Sequence, residues 1–477
     1  MGQEIAAARF TASDFTEFAA RLRAETGLLE DWFTDGVFEQ GEPTGGFELE
    51  AWLVAPDMAP APRVESILAD LDDPLVVPEL ATFNIEFNGT AVTLRGDALS
   101  RLATELTATL ARCGQVAAGH DCRLATIGIL PTVRPEHMTL ANMTPRERYR
   151  ALDEQVFGLR HGRPLQLLIA GRDRLELEWC DVMLESAATS FQIHLKVTPD
   201  EAHRVYNLSK ILSGPMVAIG ANSPYLFGRD LWCETRIPLF EQAVSVGGPV
   251  LQERVGFGFR YARHSILETF QSNLARYPVL LPQLMDEPPE RLAHLRLHNG
   301  TIWRWNRPLV GFGADGRPHL RIEHRVLPAG PSVADAIANA ALYFGAVRNL
   351  LRAARPPESD LMFLHAQKGF YSCARDGLEA EIPWLDGRTL PVARILAEDL
   401  LPRARLGLLD LGLERAEITF WLGIIERRLQ RRRTGANWQR AWVARHGPDM
   451  AGLLAAYLAG QESGLPVHAW GLERAGR

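Results

Sequence analysis

The chain lacks three things whose absence narrows its function before any motif is read. It has no run near the roughly 20 uninterrupted apolar residues that span a bilayer. It has no excess of basic charge: 51 Lys and Arg stand against 58 Asp and Glu, a formal net charge of -7 with a pI near 6.0. That balance does not suit neutralising a phosphate backbone, so no nucleic-acid partner and no membrane partner are expected. It is also poor in cysteine. The five present, Cys113, Cys122, Cys180, Cys233 and Cys373, stand at unrelated spacings without a Cys-x-x-Cys pair, which excludes a zinc ribbon or redox motif and leads one to expect reduced, buried thiols.

Several nucleotide and hydrolase signatures are missing too. No Gly-x-x-x-x-Gly-Lys-Ser/Thr occurs, and the Lys368-Gly369 step lacks that frame. Gly256-Phe257-Gly258 is not a dinucleotide fingerprint, and no Gly-x-Ser-x-Gly elbow is present. The opening MGQEIAAARFTASDF is neither a secretory signal nor an anchor, and Ala6 at the sixth position makes Met1-Gly2 a poor acylation signal. The expectation is a cytoplasmic protein. With 47% hydrophobic and 23% charged residues the chain has ample material for a core. No linker-like stretch divides it, so residues 1–477 read as a single large catalytic domain, with sheet-forming motifs within 46–345 and a mainly helical part over 346–477.

What is present is alternation. After a helical entry over Thr11–Phe38, the segments Gly46–Val54, Phe83–Asn88, Arg123–Leu130, Ser190–Val197 and Leu320–Leu327 read as strands. Between and after them, helical patterns cover Asp97–Ala118, Pro145–Phe157, Glu201–Gly220, Val333–Ala354 and the region from Pro391 on. The basic run Arg427–Arg433 reads as a solvated helix end complementing the dipole.

Successive side chains of a strand point to opposite faces, so each run divides into two sets. Glu48 shares a face with Glu50; Asn84 with Glu86 and Asn88; Ser190 with Gln192, His194 and Lys196; Arg321 with Glu323 and Arg325. A one-sided wet sheet would also alternate. Glutamate is nevertheless disfavoured in strands, and two like charges on one face call for a cation. A hard divalent ion, magnesium or manganese, takes oxygen ligands and fits Glu48, Glu50, Glu86 and Glu323 with one histidine, His194, better than zinc does. Arg321 and Arg325 would then face phosphate oxygens. Lys196 meets a phosphate or sits at the rim. His298, His319, His324 and His365 read as structural or surface residues.

In order along the chain these motifs resemble the carboxylate-amine ligases related to bacterial glutamate-cysteine ligase. The resemblance rests on Gly46-Phe47-Glu48-Leu49-Glu50, on Glu79 and Glu86 in ELATFNIEFN, on the Ser190–Val197 strand with His194, and on Ala221-Asn222-Ser223-Pro224 followed by Arg236. It continues with Arg307 after TIWRWN and Ile322-Glu323-His324-Arg325 before Pro328-Ala329-Gly330. It implies an α+β fold of glutamine-synthetase-like type: a curved, mainly antiparallel sheet with helices packed on its outer face. It implies metal-binding positions at Glu48, Glu50, Glu79, Glu86, His194 and Glu323. Arg325 and Glu323 fall at catalytic positions and Arg325 and Lys196 at phosphate-binding ones, with Arg236, Asn222 and Arg307 toward the acid substrate. The implied reaction uses ATP with Mg2+ or Mn2+ to join a small-molecule acid to an amine through an acyl phosphate, with glutamate and cysteine as the default pair. A homo-oligomer is compatible with all of this. One departure stands out: many relatives carry His-x-His-x-Gly where this chain has Gln192-Ile193-His194-Leu195-Lys196.

Overall fold

A computed structural model describes Ile5, residues 8–247 and residues 253–474. The reading of Met1, Gly2 and Ala6 lies outside the described residues. The chain enters through the helix Ala12–Asp35, closed at its start by a capping box between Thr11 and Asp14 and at its end by left-handed Gly36. Phe18, Leu22, Leu29 and Trp32 form its buried stripe.

The strands follow as β1 (Thr44–Val54), β2 (Val76–Pro78), β3 (Asn84–Asn88), β4 (Val92–Thr93), β5 (Arg123–Ala125), β6 (Leu165–Ala170), β7 (Arg174–Trp179), β8 (Ser190–Val197), β9 (Tyr225–Leu226), β10 (Arg229–Asp230), β11 (Asn306–Phe312) and β12 (Pro318–Pro328). Eight of them build one curved antiparallel sheet in the order β11-β12-β8-β1-β3-β2, with β4 and β5 also paired to β1. β6 with β7, β9 with β10, and two further short strands, Glu381–Pro383 with Thr389–Pro391, are separate ribbons. The anticipated α+β fold is therefore present.

One face of the sheet is covered by helices. Pro199–Gly220 and Val333–Leu351 pack there, against the side chains expected to point away from the polar set. Ile193, Ile322 and His324 are fully buried, and the His324 ring stacks on Tyr343 at 4.4 Å while its Nδ1 lies 2.7 Å from Asn306 Oδ1. The packing leaves no slack. A Cβ on Gly407 would lie 1.9 Å from the Gly345 carbonyl oxygen, so the helix Leu401–Asp410 crosses Val333–Leu351 at a point only glycines permit. One continuous hydrophobic core runs from Ile5 to Trp470.

Three expectations need correction. The strand over Arg123–Leu130 ends at Ala125, because the Thr126 N–H is taken by Gln461 Oε1 at 2.8 Å and the Gly128 carbonyl by the Thr189 N–H at 2.9 Å. The basic run is only in part a solvated helix end: Arg427, Arg431 and Arg432 are exposed at the end of the helix Arg415–Gln430, but Arg428 is not. Arg428 is fully buried, donating to Ile219 O, Asn339 Oδ1 and Asp335 Oδ1, while Arg431 and Arg433 donate to the carbonyls of His468 and Trp470 and hold the last turns of the chain. Finally, Cys180 is exposed, although the other four cysteines are buried and all five are free.

Candidate active site

The other face of the sheet carries the polar set, and its register explains what meets what. Residues directly opposite on antiparallel strands have Cβ atoms about 5 Å apart. β1 sets Glu50 opposite Glu86 on β3 and Glu48 opposite Gln192 on β8. β12 sets Glu323 opposite His194, and β11 sets Arg307 opposite Glu323. Five strands thus bring together side chains that span residues 48 to 325.

Two groups of three result. In the first, ligand atoms of Glu48, His194 and Glu323 all lie within 4.8 Å of one another, with His194 Nε2 3.3 Å from Glu48 Oε1 and 4.0 Å from Glu323 Oε1. Arg307 forks onto Glu323, donating from Nε at 2.8 Å and Nη2 at 2.9 Å, and Arg325 Nη1 adds a longer contact at 3.4 Å. Burial alone would raise the Glu323 carboxyl, yet Arg307 and Arg325 hold it down to about 2. Burial likewise works against ionising Glu48, and His194 and Arg325 bring it well below the usual carboxylate range.

The second group is Glu50, Glu79 and Glu86, again with ligand oxygens within 4.8 Å. Glu79 comes from the turn between β2 and β3 rather than from a strand. Glu50 accepts from the Ser190 N–H at 2.7 Å, the Ser190 hydroxyl at 2.8 Å and Gln192 Nε2 at 2.9 Å. Burial and the Glu86 charge nevertheless push it up to about 7. Burial, Glu86 and Glu50 drive Glu79 well above its ordinary value, and Glu79 Oε1 is buried without a hydrogen-bond partner. Three carboxylates packed this closely repel one another and are a donor set suited to a hard divalent cation, which would offset that repulsion.

Gln192 links the two groups. Its amide nitrogen donates to Glu50 and its Oε1 accepts from Arg325 Nη1 at 2.7 Å. The residue that departs from the His-x-His frame thus ties a carboxylate of one group to an arginine of the other.

Two cavities open beside these groups. The outer, about 230 Å³, is lined by Glu48, Glu79, Arg148, Arg307, Arg321 and Glu323 among others. The inner, about 40 Å³, is walled by Glu50, Glu79, Glu185, Arg236, Trp305 and Arg325. Arg236 opens the helix Arg236–Ala243 and is braced by the carbonyls of Thr189, Arg325 and Leu327, which leaves Nη1 buried and unbonded. Its guanidinium lies 5.4 Å from the Trp305 ring centroid.

Two residues singled out from sequence stand apart. Asn222 is fully buried and already engaged: Nδ2 donates to Ala329 O and to the Tyr457 hydroxyl, both at 2.8 Å, and Oδ1 accepts from Gln439 at 3.0 Å. It lines neither cavity, so its place is that of a structural cross-link rather than a substrate contact. Lys196 pairs with Glu39 at 2.6 Å, toward the end of β8. Conversely, Arg148, Tyr149 and Glu185 face the cavities without having been picked out. The first two begin the helix Glu147–Leu159 and Glu185 lies in the 3-10 turn Met183–Ala187, where no period fixes direction. The only signal was the clustering of arginines before that helix.

Comparison with known proteins bears on the family and the fold. The model of glutamate-cysteine ligase family 2 matches residues 44–456. A Rubrobacter xylanophilus protein provisionally named glutamate–cysteine ligase 2-3 is 28% identical over 414 residues, covering 85% of this chain and 93% of that one. Among solved structures, a glutamate–cysteine ligase of Francisella tularensis in complex with AMP superposes with a TM-score of 0.58 at 11% identity, covering 90% of this chain and 93% of that one. A bifunctional glutathione synthetase of Pasteurella multocida gives 0.50 at 11% identity, over 91% of this chain and 55% of that one. At such identities the likeness is one of fold. Among the described residues, no helix is long and apolar enough to cross a membrane.

Proposed function

Because the chain belongs to glutamate-cysteine ligase family 2, we propose that it is an ATP-dependent ligase joining the side-chain carboxylate of glutamate to an amine, cysteine being the default acceptor. The observation that carries this reading is the pair of three-residue groups on one concave face, with Arg325 and Gln192 between them, Arg307 on the outer flank of the first, and two cavities alongside. Magnesium, or manganese in its place, would be held by Glu50, Glu79 and Glu86 and by Glu48, His194 and Glu323, and would supply charge neutralisation to phosphate oxygens.

The chain's own side chains then have separate tasks. Phosphoryl transfer depends mostly on alignment and on offsetting oxygen charge. Arg325 keeps one buried nitrogen, Nε, without a partner and is the cation assigned to the transferred phosphate. Arg307, with Nε and Nη2 on Glu323 and Nη1 on the Gly300 carbonyl, acts by holding that carboxylate in place rather than by reaching a substrate. Arg236, with Nη1 free, faces the acid. The acid's side-chain oxygen attacks the γ-phosphorus of ATP, the bond to ADP breaks, and an acyl phosphate forms. The amine nitrogen attacks the acyl carbon, phosphate leaves with the C–O bonding pair, and the nitrogen gives up its proton.

Purified protein given ATP, magnesium, glutamate and a panel of amines is expected to release ADP and phosphate only when acid and amine are both present. If no combination gives ADP above background, the ligase reading fails. A second reading keeps the chemistry and changes the acid–amine pair or uses a peptide end, and the Gln192 and Lys196 departures favour it. Mass spectrometry of products formed in cell extract separates the two. A non-catalytic binder would show magnesium-dependent ATP binding without any turnover.

A further inference from the structure

Glu185 is a carboxylate without an assigned task. It belongs to neither group of three, yet it lines both the inner and the outer cavity, a position it shares only with Glu79 among the carboxylates. Its Oε2 is buried with no hydrogen-bond partner, and burial with the Glu50 charge pushes its carboxyl up to about 7. A buried acceptor left unmade costs free energy, so one that persists beside a cavity is matched to something that enters it. The same cavity holds the opposite deficit in Arg236 Nη1, a buried donor without an acceptor.

We propose that the inner cavity receives the α-carbon end of an amino acid, with Arg236 taking its α-carboxylate and Glu185 its α-ammonium, so that Glu185 makes a free α-amino group a condition of binding. The proposal rests on the ligase reading above and names a residue that sets its acid specificity. Size agrees with it. A cavity of about 40 Å³ holds on the order of three water positions at roughly 10–15 Å³ each. That is the scale of a small charged head group and excludes a bulky one. The rest of the substrate must leave through the junction at Glu79 and Glu185, which leads toward the outer cavity and the arginines assigned to phosphate. An ammonium also fits Glu185 better than a metal ion does, because no second carboxylate or histidine closes a ligand group around it among the described residues.

The test compares L-glutamate with glutarate, which keeps both carboxylates and lacks the α-ammonium, in wild-type protein, Glu185→Gln and Glu185→Asp. Wild type is expected to favour glutamate in kcat/KM by about 100-fold or more, the scale set by a buried polar group left unpaired. Glu185→Gln should raise the glutamate KM about 100-fold, leave the amine KM within about threefold and bring the two acids to near parity. Glu185→Asp, which keeps the charge, should retain most of the preference, and it carries the test if the amide variant fails to fold. Unchanged selectivity in Glu185→Gln, or an effect falling on the amine KM instead, overturns the assignment. Wild-type protein inactive with every acid would sink the ligase reading itself, and calorimetric binding of the two acids would then still decide whether Glu185 reads an ammonium.

Discussion

The two groups of three are nearly alike in composition and opposite in state. Glu48 and Glu50 sit two residues apart on one strand and point the same way, but Glu48 is held well below the carboxylate range and Glu50 is pushed up to about 7. The carboxylates do not make the difference; their neighbours do. In the first group Arg307 and Arg325 stand beside the carboxylates and His194 lies among them, whereas in the second Glu50, Glu79 and Glu86 mainly face one another. The first is balanced by the protein itself. The second is offset only in part, by Arg325 near Glu50 and Arg148 near Glu79, and keeps a negative excess that an added cation would meet, which is how a binding site differs from an ion pair.

Substitutions should therefore have opposite signs in the two groups. Glu323→Ala is expected to produce the largest effect, a loss of about 3–5 kcal/mol in urea unfolding, because it strands Arg307 without its buried partner. Glu79→Gln should do the reverse in metal-free protein near pH 8, raising stability by roughly 1–3 kcal/mol as a repelling charge is removed. It should also weaken magnesium binding at least tenfold by calorimetry. If both variants destabilise metal-free protein equally, the contrast between the groups is wrong.

The pH dependence sharpens the same point. Glu50 has a folded-state value near 7, above its ordinary 4.5, so its contribution to stability is present below about 4.5 and lost as pH rises through 7. Glu323 behaves oppositely, its contribution being lost only as pH falls through about 2. Metal-free protein should accordingly lose about 3 kcal/mol between pH 5 and pH 8 from Glu50 alone by chemical denaturation. Saturating magnesium should remove only part of the total loss. Glu241, raised to about 7 by burial while bonded to Trp305 and Tyr371, lies outside both groups, and Glu241→Gln should remove a part that magnesium does not.

How much of this was legible in the sequence follows from what fixes each residue's direction. Ser190–Val197 was bounded as found, and β1 and β12 nearly so, because a one-residue slip would turn every side chain to the wrong face. Period 2 therefore assigned Glu48, Glu50, Glu86, His194, Glu323 and Arg325 to one surface. Strand order was not legible: nothing local says that β8 lies between β1 and β12, so the pairing of Glu323 with His194 had to be seen. β11 went unread because Pro308 and Gly311 break its pattern. Asn222 shows the limit of motif reasoning, since its neighbours in sequence gave no hint that Tyr457 and Gln439, over 200 residues away, saturate its side chain.

Lys196 supplies the smallest and most delicate test. It replaces the glycine of the family frame and stands beyond the first group, within 2.6 Å of Glu39 and opposite Arg321 across the β8–β12 pairing. Partly exposed pairs of this kind are worth about 0.2–1 kcal/mol, so Lys196→Met should shift unfolding by no more than that. Its effect on nucleotide binding is what discriminates. With the ammonium committed to Glu39, the KM for ATP should change by less than about threefold, as a rim position requires. A rise of tenfold or more would mean that the lysine leaves Glu39 to meet a phosphate, and the charge balance of the first group would then depend on bound nucleotide as well as on Arg307 and Arg325.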